Sequence, residues 1–328
     1  MLGFERAADE LARIDHELSR AVGTAVPMLN DAAGHYQRAG GKRLRPLLTV
    51  ATGALISQLT GHRDAGSEVS HNTVMGGVSV ELVHLGSLYH DDVMDDATVR
   101  RQVESANAKW GNLVAILAGD YLLARASEIG ASLGTDVAGL LARTIGRLCE
   151  GQVLELQYAF NADRPIDSYI QSISGKTASL MSTACEIGAI VNQAYPEHRE
   201  AAIAFGEAFG MSFQIRDDIL DIIGTEAALG KPAGHDLEEG VYTLPVLYAL
   251  DDPSVGPELR SLLGGPIDAP TRDKALGLVR QSNGIALALD DATRFATTAD
   301  TQLRLLGQLD EVPGLPGFAR DLLADVSV

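Results

Sequence analysis

Between Leu113 and Ile223 apolar residues recur every three or four positions through long segments, roughly Leu113 to Ser132, Val137 to Phe160, Ile166 to Gln193 and His198 to Ile223. That period belongs to helices packed against a core. The breaks are short, with Asp163-Arg164-Pro165 and Tyr195-Pro196 as stop signals. Strand-like alternation at period two is almost absent. The pattern predicts an all-α fold, and with no low-complexity linker in view, residues 1–328 are expected to form a single domain built as a large helical bundle.

Composition narrows the function classes. The chain has 44 acidic and 26 basic residues, a net charge of -18. Such a surface repels phosphodiester backbones, which excludes nucleic acid as a general partner. It also makes any cluster of cations informative. Cys149 and Cys185 have neither zinc spacing nor a disulfide framework. The charged amino terminus, MLGFERAADELARIDHEL, lacks the apolar stretch of a signal peptide, and no apolar run reaches the ~20 residues needed to span a bilayer. A cytoplasmic location is expected.

Along the chain, Phe4 to Val26 has helical periodicity, with Leu11, Ile14 and Leu18 on one face. Gly40-Gly41 breaks structure before an apolar run entered through Pro46. Gly61 to His71 reads as a loop, as does the stretch carrying Arg100 and Arg101. Asn72 to Asp96 reads as one long helix, and Gly224 to Gly240 as a loop over the site.

The long helix ends in Asp91, Asp92 and Asp95, and the same D-D-x-x-D spacing returns as Asp217, Asp218 and Asp221. Positions four apart stack on one helix face, so the first and last carboxylates of each triad repel. A helix carboxyl end is unfavourable for anions as well. A hard divalent cation would offset both costs, and Mg2+ takes carboxylate oxygens while keeping positions for water and phosphate. A solvated face explains one such triad alone; two, each flanked by apolar sequence such as LGSLYH and FGMSF, ask for a site. Gln214 precedes Asp217 by three residues and His84 precedes Asp91 by seven, each on the acid-bearing face. Cations gather as Lys42, Arg43 and Arg45, as Arg100-Arg101, at Lys176-Thr177 and at Lys231. Two acid clusters with several cationic patches suit a diphosphate ligand, or two of them.

GGKRLRP at 40–46, HDDVMD at 90–95 with Arg100-Arg101, Lys176-Thr177, FQIRDDILD at 213–221 and GKPAGHDL at 230–237 together resemble the trans-isoprenyl diphosphate synthases. WGN at 110–112 and TLP at 243–245 are further landmarks, so the resemblance spans nearly the whole chain. It implies a helical bundle with a central cavity, a homodimer, and condensation of an allylic diphosphate with isopentenyl diphosphate. Carried over by residue, Asp91, Asp95 and Asp217 would bind Mg2+, with Asp92, Asp218 and Asp221 supporting it. Arg100, Lys176, Thr177, Gln214 and Lys231 would hold the allylic diphosphate, and Lys42, Arg45, His84 and Arg101 the isopentenyl diphosphate. Product release would involve transient contact with a membrane surface.

This chain departs from the family pattern where Val241 stands in place of a lysine after DLEEG and Gln102 in place of a glycine after the arginine pair. Gly86 and Ser87, one turn before the first triad, are small where bulky residues would floor a product tunnel. A long product, of about six or more isoprene units, is therefore expected. Three other readings compete: a class I terpene cyclase, a non-catalytic subunit of a heteromeric synthase, and a helical metal-binding protein without catalysis. The basic motifs and the two complete triads argue against each.

Overall fold

The computed structural model describes residues 6–62, 67–224, 233–306, 317–324 and 326. Its helices in the first half are α1 (Ala7–Ala21), α2 (Pro27–Ala33), α3 (His35–Arg38), α4 (Leu44–Leu59), α5 (His71–Met94), α6 (Ala106–Trp110) and α7 (Asn112–Leu133). They continue as α8 (Thr135–Gln157), α9 (Ile166–Ile173), α10 (Ser179–Val191) and α11 (Pro196–Ile223), followed by shorter helices and a last long one over Gly284–Leu305. Among the described residues the only strands are Val99–Arg100 (β1) and Val103–Glu104 (β2), so the fold is all-α as the periodicity predicts.

These residues gather in two compact units, one drawn from 1–145, 180–206 and 302–316, the other from 146–179, 207–301 and 317–328. The chain passes between them inside α8, α11 and the helix Gly284–Leu305, and at the head of α10. No linker composition marks a crossing that occurs within a helix.

The first unit is built around α5, which packs against α7, α4 and α1. Ser70 caps it, its side-chain oxygen accepting the Thr73 N–H at 3.2 Å. Val78, Val80, Leu82, Val83 and Leu85 are fully buried, each contributing roughly 1.5–3 kcal/mol. Burial on every side explains why α5 shows no polar face. Its close approach to α7 is made at Gly86, where an added Cβ would stand 3.1 Å from the Gly119 carbonyl oxygen and 3.1 Å from Leu123 Cγ. The smallness of Gly86, read in the sequence as open tunnel space, thus serves helix packing. On α1, Ile14 and Leu18 are buried as expected, while the helix itself stops at Ala21, short of the predicted Val26.

The second unit contains the end of α8, α9 and most of α11. The predicted helix from Ile166 to Gln193 is present but is interrupted by a π-turn over Ser174–Ala178. An extra residue per turn is accommodated there because α8 comes in very close: a Cβ on Gly151 would lie 2.5 Å from the Lys176 nitrogen. The carboxyl end of α11 is capped by Arg280, whose Nε and Nη2 donate to the Ile222 carbonyl at 2.9 and 2.6 Å. A cation there suits the negative end of the helix dipole.

Candidate active site

In the first unit the acidic helix ends in a Schellman turn. The Ala97 N–H donates to the Asp92 carbonyl at 3.0 Å, and Asp96 takes the left-handed conformation, φ 49°. Asp91 is half-buried and Asp95 exposed, whereas Asp92 is completely buried. Both Asp92 oxygens are engaged: Arg100 Nε donates to Oδ1 at 2.7 Å, and the Tyr36 hydroxyl donates to Oδ2. Part of the charge that the sequence assigned to a metal is therefore offset by an arginine and a phenol.

Arg100 and Arg101 lie on a hairpin where the sequence predicts a loop. Arg100 pairs with Val103, so Arg101 and Gln102 form a two-residue connection, and both have positive φ, 52° and 64°. That is a type I′ turn, which normally selects Asn-Gly. Each non-glycine residue held there costs on the order of 1 kcal/mol. The turn aims Arg101 back along the chain, where Nη1 donates to the Tyr36 carbonyl at 3.1 Å and to the Gly40 carbonyl. Gly41 leaves room for it, since a Cβ there would stand 3.0 Å from the guanidinium carbon. Replacing Gln102 by glycine is expected to raise stability by up to about 1 kcal/mol, because glycine takes φ of that sign without strain. A denaturation midpoint that falls instead would remove the strain.

His84, half-buried, presents Nε2 3.5 Å from Arg101 Nη2. Burial, and then the guanidiniums of Arg45, Arg101, Arg100 and Arg43, hold its imidazole well below the ordinary value, so it is neutral at pH 7. Within the basic cluster, Arg43 points inward. Its Nε donates to Asp15 at 2.8 Å, Nη1 to Glu81 at 2.9 Å and Nη2 to the Gln37 carbonyl at 3.0 Å. Lys42 stays exposed and Arg45 half-buried. Ser87 lies four residues before Asp91 on the same helix face, its hydroxyl bonded to the His84 carbonyl at 2.9 Å.

The second triad, in the other unit, follows the same plan. Asp217 is 43% exposed and accepts from Arg216 Nη1 at 2.9 Å. Asp218, only 4% exposed, has both oxygens occupied by the Gln214 amide at 2.8 Å and the Tyr169 hydroxyl. Burial, with Asp236 adding to it, pushes the Asp218 carboxyl well above the usual carboxylate range. Gln214 in turn accepts from the Thr177 hydroxyl at 2.7 Å, and Lys176 Nζ lies 2.5 Å from Glu155. The π-turn is what sets Lys176 and Thr177 side by side facing α8 and α11. Asp221 is buried, its carbonyl accepting the Gly234 N–H at 2.9 Å. Lys231 lies outside the described residues.

Sequence spacing missed Tyr36, Tyr169 and Glu155. Each reaches its partner from a different helix, so no local pattern announces it. A tyrosine standing in the polar run GHYQRAGG was the one available hint.

Among the described residues, no three acid, histidine or cysteine side chains converge into a ready-made metal cage. Asp91, Asp95 and Asp217 offer hard oxygen donors at partly open positions.

A family model described as Polyprenyl synthetase matches residues 26–275. The nonaprenyl diphosphate synthase of Mycobacterium tuberculosis is 42% identical over 314 residues, covering 94% of this chain and 89% of that protein. Component 2 of the heptaprenyl diphosphate synthase of Geobacillus stearothermophilus is 38% identical, covering 98% and 95%. The geranylgeranyl pyrophosphate synthase of Corynebacterium glutamicum, solved with calcium and isoprenyl diphosphate, superposes with a TM-score of 0.83 at 40% identity, covering 98% of this chain and 97% of that one. The chain belongs to the polyprenyl synthetase family, the trans-isoprenyl diphosphate synthases, and is a prenyltransferase.

Proposed function

We propose that this prenyltransferase condenses an allylic diphosphate with isopentenyl diphosphate, using Mg2+, and extends the product to medium or long chain length. The observation that carries the reading is the joining of Asp92 to Arg100, and of Arg101 to the Gly40 segment and His84, so that acids and cations belong to one constellation. The chain acts as one catalytic domain, in the cytoplasm.

Asp91 and Asp95 in the first unit, and Asp217 in the second, would hold Mg2+, with Asp92, Asp218 and Asp221 supporting them. When bound, the metal stabilises negative charge on the departing diphosphate as a Lewis acid. Arg100 binds the allylic diphosphate, as do Lys176, Thr177 and Gln214, and Lys231 is assigned the same task. Their fixed charges favour heterolysis of the allylic carbon–oxygen bond, whose electron pair leaves with the diphosphate oxygen. Lys42, Arg45, Arg101 and the neutral His84 hold isopentenyl diphosphate so that its alkene electrons form the new carbon–carbon bond. One proton is then lost from the carbon next to the new cation, and the released diphosphate accepts it.

A homodimer is supported by Leu113, Ile116 and Leu117, an exposed apolar edge at the start of α7 that a second copy would cover. Hydrophobic product leaves by transient contact with a membrane surface. Among the described residues no helix is long and apolar enough to cross one.

Long products are supported by the nonaprenyl and heptaprenyl relatives. Ser87 is the chain-length position left after Gly86 is assigned to packing. Ser87→Phe is expected to shorten the product while turnover stays measurable, read by chromatography of dephosphorylated products. An unchanged length distribution would refute the assignment.

The function itself is tested with purified protein, radiolabelled isopentenyl diphosphate, Mg2+ and allylic primers of several lengths. Incorporation into longer chains supports the synthase. Allylic ionisation without incorporation would instead mean a cyclase, and activity only with a second chain would mean a heteromeric component.

A further inference from the structure

In each triad the middle carboxylate is buried, and in each a buried tyrosine hydroxyl from another helix donates to it: Tyr36 to Asp92 and Tyr169 to Asp218. The remaining oxygen is taken by a residue assigned to the allylic diphosphate, Arg100 in one case and Gln214 in the other. We propose that Tyr36 and Tyr169 are positioning residues: each pins the middle carboxylate out of the metal's reach and, through it, fixes the side chain that meets the diphosphate. The inference rests on the synthase reading.

Tyr36 is the more heavily connected. Its ring is fully buried, 4.5 Å from that of Tyr89. The hydroxyl also accepts the Ala106 N–H at 2.7 Å, the first residue of α6. Its backbone carbonyl takes Arg101 Nη1. One residue thereby ties Asp92, and through it Arg100, to the arginine assigned to the second substrate. The tie has a chemical purpose. A buried carboxylate with a free oxygen would swing toward any divalent cation held by Asp91 and Asp95, and would release Arg100 as it moved. A phenol fits the task because it donates one hydrogen bond, carries no charge at neutral pH and cannot itself compete as a phosphate cation.

Tyr89 is the natural control. It is equally buried, and burial raises its hydroxyl to about 12; it donates to the Ala32 carbonyl at 2.5 Å and not to an acid, and it meets Tyr36 through the backbone N–H of that residue, at 3.4 Å, and not through the hydroxyl that holds Asp92. Tyr36→Phe and Tyr169→Phe keep the rings and remove only the hydroxyls.

The test compares these variants with Tyr89→Phe and the wild type. Mn2+ binding is followed by electron paramagnetic resonance in the presence of inorganic diphosphate, alongside the Mg2+ dependence of condensation. For Tyr36→Phe and Tyr169→Phe the Mn2+ affinity is expected to tighten about tenfold, with half-saturating Mg2+ falling in step, as the freed carboxylate oxygen reaches the cation, while KM for the allylic diphosphate rises because Arg100 or Gln214 is released. Tyr89→Phe should lower thermal stability while leaving both metal readouts at the wild-type value. Wild-type metal affinity in both Tyr36→Phe and Tyr169→Phe, or an equal shift in Tyr89→Phe, would overturn the proposal. An inactive wild type would overturn the synthase reading, and this inference with it.

Discussion

Asp91→Ala and Asp217→Ala are each expected to lower Mg2+-dependent condensation by about a thousand-fold or more, since loss of one group that stabilises developing charge already costs 10²–10³ in rate. The folded state should not suffer with them. Asp91 stands four residues before Asp95 at the negative end of α5, where two anions repel each other and the helix dipole. Removing one relieves a repulsion of about a few tenths of a kcal/mol to 1 kcal/mol while giving up the attraction of Asp91 to Arg100, so the melting temperature should change little. Asp217 is 43% exposed, so its loss is also mild. Asp92→Ala should behave in the opposite way for stability, because it takes the acceptor from the buried Tyr36 hydroxyl and the partner from the half-buried Arg100. Steady-state kinetics with calorimetry on the same preparations separates the cases. Near-normal activity in Asp91→Ala or Asp217→Ala would place the metal elsewhere.

Arg43→Met is expected to be the most destabilising single change in the basic cluster, by about 3–5 kcal/mol. Arg43 is 5% exposed and spans Asp15 and Glu81, and Glu81 is itself 2% exposed. Removing the cation leaves a buried carboxylate without its nearest counter-charge. A paired Arg43→Met, Glu81→Gln variant should recover part of the loss, because the stranded charge goes too. Thermal unfolding measures both, and a loss under about 1 kcal/mol for the single change would mean that Glu81 is compensated by other groups. Lys42→Ala, by contrast, should raise KM for isopentenyl diphosphate with little change in melting temperature, since Lys42 is exposed.

Much of the architecture was legible before any coordinates. Helical periodicity located α5, α7, α8 and α11 to within a few residues, because a buried stripe at period 3.6 is a local property of the chain. The interrupted helix from Ile166 was harder. Its periodicity continues across Ser174–Ala178, and the π-turn lies where Gly151 of α8 comes close to the Lys176 backbone, an approach invisible to local pattern. The hairpin was read as a loop for a similar reason. Two residues per strand carry no alternation, and Arg101-Gln102 lacks the Asn-Gly sequence that announces a type I′ turn.

The sequence alone determined the chemical inventory: two D-D-x-x-D triads on helices, the cations that could meet diphosphate, and an all-helical frame to carry them. These are properties of residue type and spacing along one element, which a helix converts directly into shared faces. The tertiary structure decided how the inventory is divided. It turned Arg43 inward to Glu81 while Lys42 stayed in solvent, gave Gly86 to the crossing with α7, and set Tyr36 and Tyr169 against the middle carboxylates. Each of those outcomes depends on a partner from another helix, and burial strengthens such partnerships because an unmet polar group in the interior is costly.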